Sequence, residues 1–163
     1  MMIRLVLTVA ICTWFTIPVA AKELTPPLII EKEMRYLNTH DYLQYASLWT
    51  KAMQNEVLFI HSPKDKNTIF NITEASLVTE QELSFPQAMQ YIPRLSKYIS
   101  HFGAHNVQVR YVEALYKVKQ ETSLQRNGEN CFIQVFAKEH GIWRIAESVS
   151  VKKSILDTNA SSR

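Results

Sequence analysis

Residues 106–119 read NVQVRYVEALYKVK, 130–139 read NCFIQVFAKE and 142–152 read IWRIAESVSVK. Each run is rich in Val, Ile, Tyr and Phe and is bounded by turn residues, the pattern of a β-strand. The segment RNGEN (126–130) carries Asn-Gly inside a long hairpin connection over 120–130, and His140–Gly141 makes a tight two-residue turn. In the first run Val107, Val109, Tyr111, Glu113, Leu115 and Lys117 share one face, and Gln108, Arg110, Val112, Ala114, Tyr116 and Val118 the other. Both faces are apolar in the middle, which predicts a central strand with helices on one side and a further layer over the other.

Upstream the periodicity changes. Thr25-Pro26-Pro27 suits a helix start, because proline is tolerated in a first turn, and a helix is expected over about Leu28 to Leu37. Asn38, Thr39 and His40 interrupt it, and Thr39 or Asp41 can cap the next. Residues 39–53 (THDYLQYASLWTKAM) place Tyr42, Tyr45, Ala46, Trp49, Ala52 and Met53 on one continuous stripe, the mark of an amphipathic helix. Val57 to Ile60 reads as a short strand or buried connector, and His61 to Asn67 as a loop. Residues 68–83 read as a strand with a bulge or break. Residues 86–102 read as a helix that Pro93 kinks or splits and Gly103 ends. Helices followed by long antiparallel strands predict an α+β fold, with two or three N-terminal helices packed in the concave face of a strongly curved, mainly antiparallel sheet of four to six strands.

The 163 residues, 47% of them hydrophobic, suffice for one domain with a core. The first 21 residues carry a basic start at Arg4, an apolar run from Leu5 to Ile17 and small residues at Val19-Ala20-Ala21, the three parts of a secretory signal cleaved before Lys22. The apolar run is shorter than the ~20 residues that a spanning helix needs. Ile11 before Cys12 does not suit lipid attachment. The expected layout is a signal peptide over 1–21, one domain over 22–153 and a polar tail over 154–163. Removing the signal leaves Cys131 as the sole cysteine, read as a buried apolar side chain. The charge of +3 is mild and its lysines and arginines are scattered, with Lys152–Lys153 the longest basic run, so nucleic acid is not an expected partner.

The segments YLNTHDYLQYASLW and AKEHGIWRIAES resemble the nuclear transport factor 2-like superfamily, the cone-shaped α+β fold of ketosteroid isomerases, scytalone dehydratase and polyketide cyclases. The helix from Asp41 to Trp49 is similar to that fold's acidic-start, aromatic-end helix, and Gly141, Trp143 and Ile145 to its closing Gly-x-Trp-x-Ile hairpin. More narrowly, VEALYKVKQE, the Asn-Gly turn and KE-x-G-x-W-x-I resemble small exported domains of Gram-positive bacteria. The resemblance spans residues 28–152. Its enzymes move protons with carboxylates, His or Tyr deep in the cone, and it makes Asp41, Glu113, Glu147, His61 and Tyr111 the residues to weigh. Glu113 either lines the cone as a base, or points outward to a cross-strand Lys138 or Arg144. Asp41 is better read as a helix cap. The bacterial character of the resemblance argues against glycans on the triplets at Asn71 and Asn159.

No residue set at metal-ligand spacing stands out; His101 and His105 are four apart but straddle Gly103. Phosphate-loop, Gly-x-Ser-x-Gly and Cys-x-x-Cys motifs are missing from the sequence, and neither metal nor cofactor is expected. The aromatic residues are plentiful, and Tyr45, Trp49, Tyr111, Glu113 and Trp143 form the candidate pocket. The reading is an exported or envelope-associated binding or accessory domain, partnered by a small hydrophobic ligand or an envelope protein. An isomerase, dehydratase or cyclase with a pocket carboxylate as base is the alternative, and homodimerisation through an open sheet face a third.

Overall fold

The computed structural model describes residues 24–60 and 68–153. The expected signal segment, His61 and the polar tail lie outside the described residues. Helix α1 (Pro26–Thr39) starts on Pro26 and Pro27 and ends where His40 turns left-handed at φ 54°. Its apolar stripe is Ile29, Ile30, Met34 and Leu37. Asp41 caps α2 (Tyr42–Ser47) by accepting the Gln44 N–H at 3.2 Å, as the sequence predicts.

The single helix expected over 39–53 is instead two. After α2 the chain leaves helical form at Leu48–Thr50 and resumes as α3 (Lys51–Ile60). The break has a cause in β4 (Ile142–Val151): Thr50 N–H donates to the Ile145 carbonyl at 2.9 Å and Ile145 N–H donates to Leu48 at 2.8 Å. Backbone pairing with the strand's outer edge replaces intrahelical bonds, and it also covers an edge that would otherwise be open. Val57–Ile60, read as a strand or connector, is the last turn of α3.

Strands β1 (Ile72–Leu83), β2 (Val107–Val118), β3 (Gly128–Glu139) and β4 form one antiparallel sheet in chain order. Between β1 and β2, α4 (Phe85–Met89) and α5 (Leu95–Phe102) flank Pro93, so the helix splits where proline removes a donor. Gly103 ends α5 with φ 84°. His140 and Gly141 both take positive φ, 50° and 83°, the left-handed pair that a two-residue hairpin requires.

Of the three shifts of register in the sheet, the last two send residues of one strand to opposite cores. The one between Leu77 and Thr79 lets Ala75 and Leu77 pack on one side and Leu83 on the other. The last makes Ala146 the extra residue, so that Ile145 and Ala146 join different cores. One core lies between α1, α2 and the face of Val112, Ala114, Tyr116, Phe136 and Ile145. The other lies between α4, α5 and the face of Val109, Tyr111, Ile133 and Val135. The α+β class and the antiparallel sheet stand, with four strands. The N-terminal helices α1 and α2 pack on one face as expected, but α4 and α5 cover the other, so neither face needs a strong curl of the sheet to be buried, and the sheet is not strongly curled.

Candidate functional site

A cavity of about 220 Å³ opens between the α1–α2 layer and the sheet. Glu33 and Leu37 reach it from α1, Tyr45 from α2, Trp49 from the break before α3, Tyr116 from β2, Phe132 and Gln134 from β3, and Ser148 and Ser150 from β4. Ile69, Ile72, Leu124 and Gln125 complete its wall. Asn71 holds that wall in place, donating to the Gln125 side chain at 2.9 Å and to the Gln120 carbonyl at 2.7 Å while accepting the Gln120 N–H at 3.0 Å. Buried and so engaged, Asn71 is structural and its amide is not presented to a glycan.

Glu33 is the chemically distinctive residue. It is 4% exposed, and Gln134 Nε2 donates to its Oε2 at 2.8 Å. The Tyr45 hydroxyl is a second hydrogen-bond partner. Burial pushes the Glu33 carboxyl from its ordinary 4.5 up to about 7, and the bonds from Gln134 and Tyr45 pull it only part of the way back. Among the described residues that line the cavity, none is Lys, Arg or His. Burial also raises the Tyr45 hydroxyl well above its usual value, with the Glu33 and Tyr116 charges adding to it. The Tyr116 hydroxyl is raised for the same two reasons, burial and Glu33.

Two further polar atoms on this wall are unmatched. Gln134 Oε1 has no hydrogen-bond partner although the residue is 2% exposed. The Trp49 indole N–H lies close enough to the Tyr45 oxygen to favour its ionised form, yet it completes no hydrogen bond. A buried acceptor and a buried donor without partners each carry a desolvation cost of ~1–3 kcal/mol unless a bound molecule or water meets them. The arrangement can therefore hold a small molecule, and its carboxyl can give or take a proton near neutral pH.

Of the five residues expected to form the pocket, Tyr45 and Trp49 line this cavity. Trp143 does not; it packs half-buried against the same core, with Lys138 Nζ 5.7 Å from its ring centroid. Tyr111 and Glu113 belong to the opposite face of the sheet. There the Tyr111 hydroxyl donates to Cys131 Sγ at 3.1 Å and lies 3.5 Å from Glu113 Oε2. Burial raises both the Tyr111 hydroxyl and the Cys131 thiol. Lys153 closes this group by donating to Glu113 at 3.1 Å and to Glu129 at 2.7 Å. Glu113 thus pairs with a lysine, but with Lys153 and not Lys138 or Arg144; Arg144 binds the Ser47 carbonyl and Glu139. Glu147 is met by Arg94 at 2.6 Å and has no place in the cavity.

Glu33 and Gln134 are missing from the sequence-derived set, though each leaves a trace. Glu33 interrupts the apolar stripe Ile29–Ile30–Met34–Leu37 of α1, and Gln134 shares a face with Phe132 and Phe136. A polar residue at a core-facing position is the informative exception to burial. Comparison with protein-family models, with curated proteins and with solved structures finds no match to the chain.

Proposed function

We propose that this protein is an exported or envelope-associated, non-catalytic binding domain built on the nuclear transport factor 2-like plan, and that it holds a small, largely apolar molecule in the Glu33 cavity. The observation that carries the reading is one buried carboxyl, hydrogen-bonded by Gln134 and Tyr45, set among aromatic walls with unmatched polar atoms beside it. A concave, mainly apolar pocket with a few fixed polar groups is the usual form of a small-molecule site. At about 220 Å³ the cavity takes a ligand of about one substituted ring, since a ~150 Å³ cavity accommodates benzene. Titration of ring-sized compounds, followed through the two indole N–H resonances of the mature chain, tests it. Saturable shifts of Trp49 that spare Trp143 are expected; a compound set that leaves Trp49 unmoved would sink the pocket.

The second reading, an isomerase or a related proton-transfer enzyme, is favoured by one observation: Glu33 titrates near 7 with a tyrosine on it. Glu33 then replaces Glu113 and Asp41 as the base. Solvent deuterium uptake next to the carbonyl of a small cyclic ketone, lost in Glu33→Gln, is its mark.

A further inference from the structure

We propose that the molecule bound in the Glu33 cavity is a small organic amine, held as its ammonium ion between the Glu33 carboxylate and the surrounding aromatic rings. The proposal deepens, and rests on, the reading of this cavity as a small-molecule site. Its starting point is an imbalance of charge. Glu33 is buried on neutral partners only, and the described lining contains no basic residue to balance it. A buried carboxylate is costly without a paired cation, and a cationic ligand supplies the missing partner.

The rest of the wall fits the same chemistry. Tyr45 and Trp49 form one tilted ring pair with centroids 6.2 Å apart, and Tyr116 and Phe132 another at 5.8 Å, so two aromatic pairs border one carboxyl. Ring faces attract an ammonium, most strongly where water is excluded. The unmatched Gln134 Oε1 is a ready acceptor for an ammonium N–H. The unmatched Trp49 N–H can meet a neutral oxygen elsewhere on the ligand. A carboxylate or phosphate would face Glu33 with no cation among the described lining residues to receive it, so acidic ligands and amino acids are disfavoured.

Binding must also be linked to protons. The groups facing Glu33 are Tyr45 from α2, Tyr116 from β2 and the uncharged Gln134 from β3, and both tyrosines stay neutral through the accessible pH range. Only Glu33 titrates, at about 7, and it must be ionised to pair with the ammonium. Amine affinity therefore falls as pH drops below 7, by about tenfold per unit.

The test uses benzylamine, its neutral counterpart benzyl alcohol, and benzoate, titrated in phosphate buffer against the Trp49 indole resonance at pH 8 and pH 5.5. Benzylamine is expected to bind at least tenfold more tightly than benzyl alcohol at pH 8, and about thirtyfold more weakly at pH 5.5 than at pH 8. Benzyl alcohol should be indifferent to pH and benzoate should not bind. Glu33→Gln should erase both the amine preference and its pH dependence. Equal binding of amine and alcohol by the wild-type protein at pH 8 overturns the amine proposal and leaves the pocket standing. Absence of any Trp49 shift with all three overturns both.

Discussion

Ionising Glu33 sets a charge among neutral groups in the interior, and that has a consequence for stability. With the folded-state value raised from 4.5 to about 7, the native protein binds the proton more tightly than the unfolded chain between those pH values. Stability therefore falls as pH rises from about 4.5 to 7 and stays lowered above it, by on the order of 3 kcal/mol at ~1.36 kcal/mol per pH unit. Glu33→Gln keeps the shape and cannot ionise, so it should melt roughly 10 °C above wild type at pH 8 and close to it at pH 4. Equal melting at pH 8 would mean that the carboxylate ionises without penalty. Trp49 and Trp143 provide a second contrast. Trp49 is 7% exposed in the core while Trp143 only flanks it. Trp49→Ala should cost about 3–5 kcal/mol and Trp143→Ala roughly 1–2 kcal/mol in thermal melts. A Trp49→Ala protein as stable as wild type would remove that ring from the core.

Elements are held by side chains that imitate strands. The amide of Asn38, at the end of α1, accepts the Ala75 N–H and donates to the Ala75 carbonyl, both at 2.7 Å. A ring nitrogen of His40 lies 3.3 Å from the Ile72 carbonyl. Together they occupy the outer edge of β1 at its start, where backbone groups would otherwise await another chain. Asn38→Ala should lower stability by about 1–2 kcal/mol in urea unfolding without changing the slope, since it strands two backbone groups and leaves the fold intact. No loss would show that water satisfies Ala75 equally well. The bulges act at the same scale. The extra residue at Ala146 sends Ile145 to the core beneath α2 and turns Glu147 towards Arg94 beside α5.

For the molecule as a whole, the described helices include none long and apolar enough to cross a membrane. The proposed export rests on the first 21 residues. Mass spectrometry of the protein from its host is expected to find a mature chain beginning at Lys22; an intact Met1 on cell-associated material would replace export by anchoring. Among the described residues Cys131, whose thiol is buried and bonded by Tyr111, is the only cysteine. The described residues are held by the two cores on either side of one sheet and contain no disulfide.

The amino-acid sequence by itself determined what depends on near neighbours. The alternation in 106–119, the His140–Gly141 turn, the Pro93 split and the Asp41 cap each follow from conformational preferences within a few residues, and each is found in the fold. Tyr45 and Trp49 were legible as inward-facing from helical spacing, but beyond the break that spacing fails, with Ala52 of the expected stripe exposed and Leu48 and Thr50 buried instead. Tertiary structure alone decided the rest. Leu48–Thr50 leave the helix because Ile145, nearly a hundred residues on, offers its backbone. Glu113 meets Lys153 and lies across the sheet from the cavity because strand parity and chain closure put it there. Glu33 becomes a weak acid because its burial between α1 and the sheet outweighs the hydrogen bonds it receives from Gln134, 101 residues away, and from Tyr45. Local periodicity specifies which side of an element is apolar, whereas desolvation and pairing exist only once distant elements have been brought together.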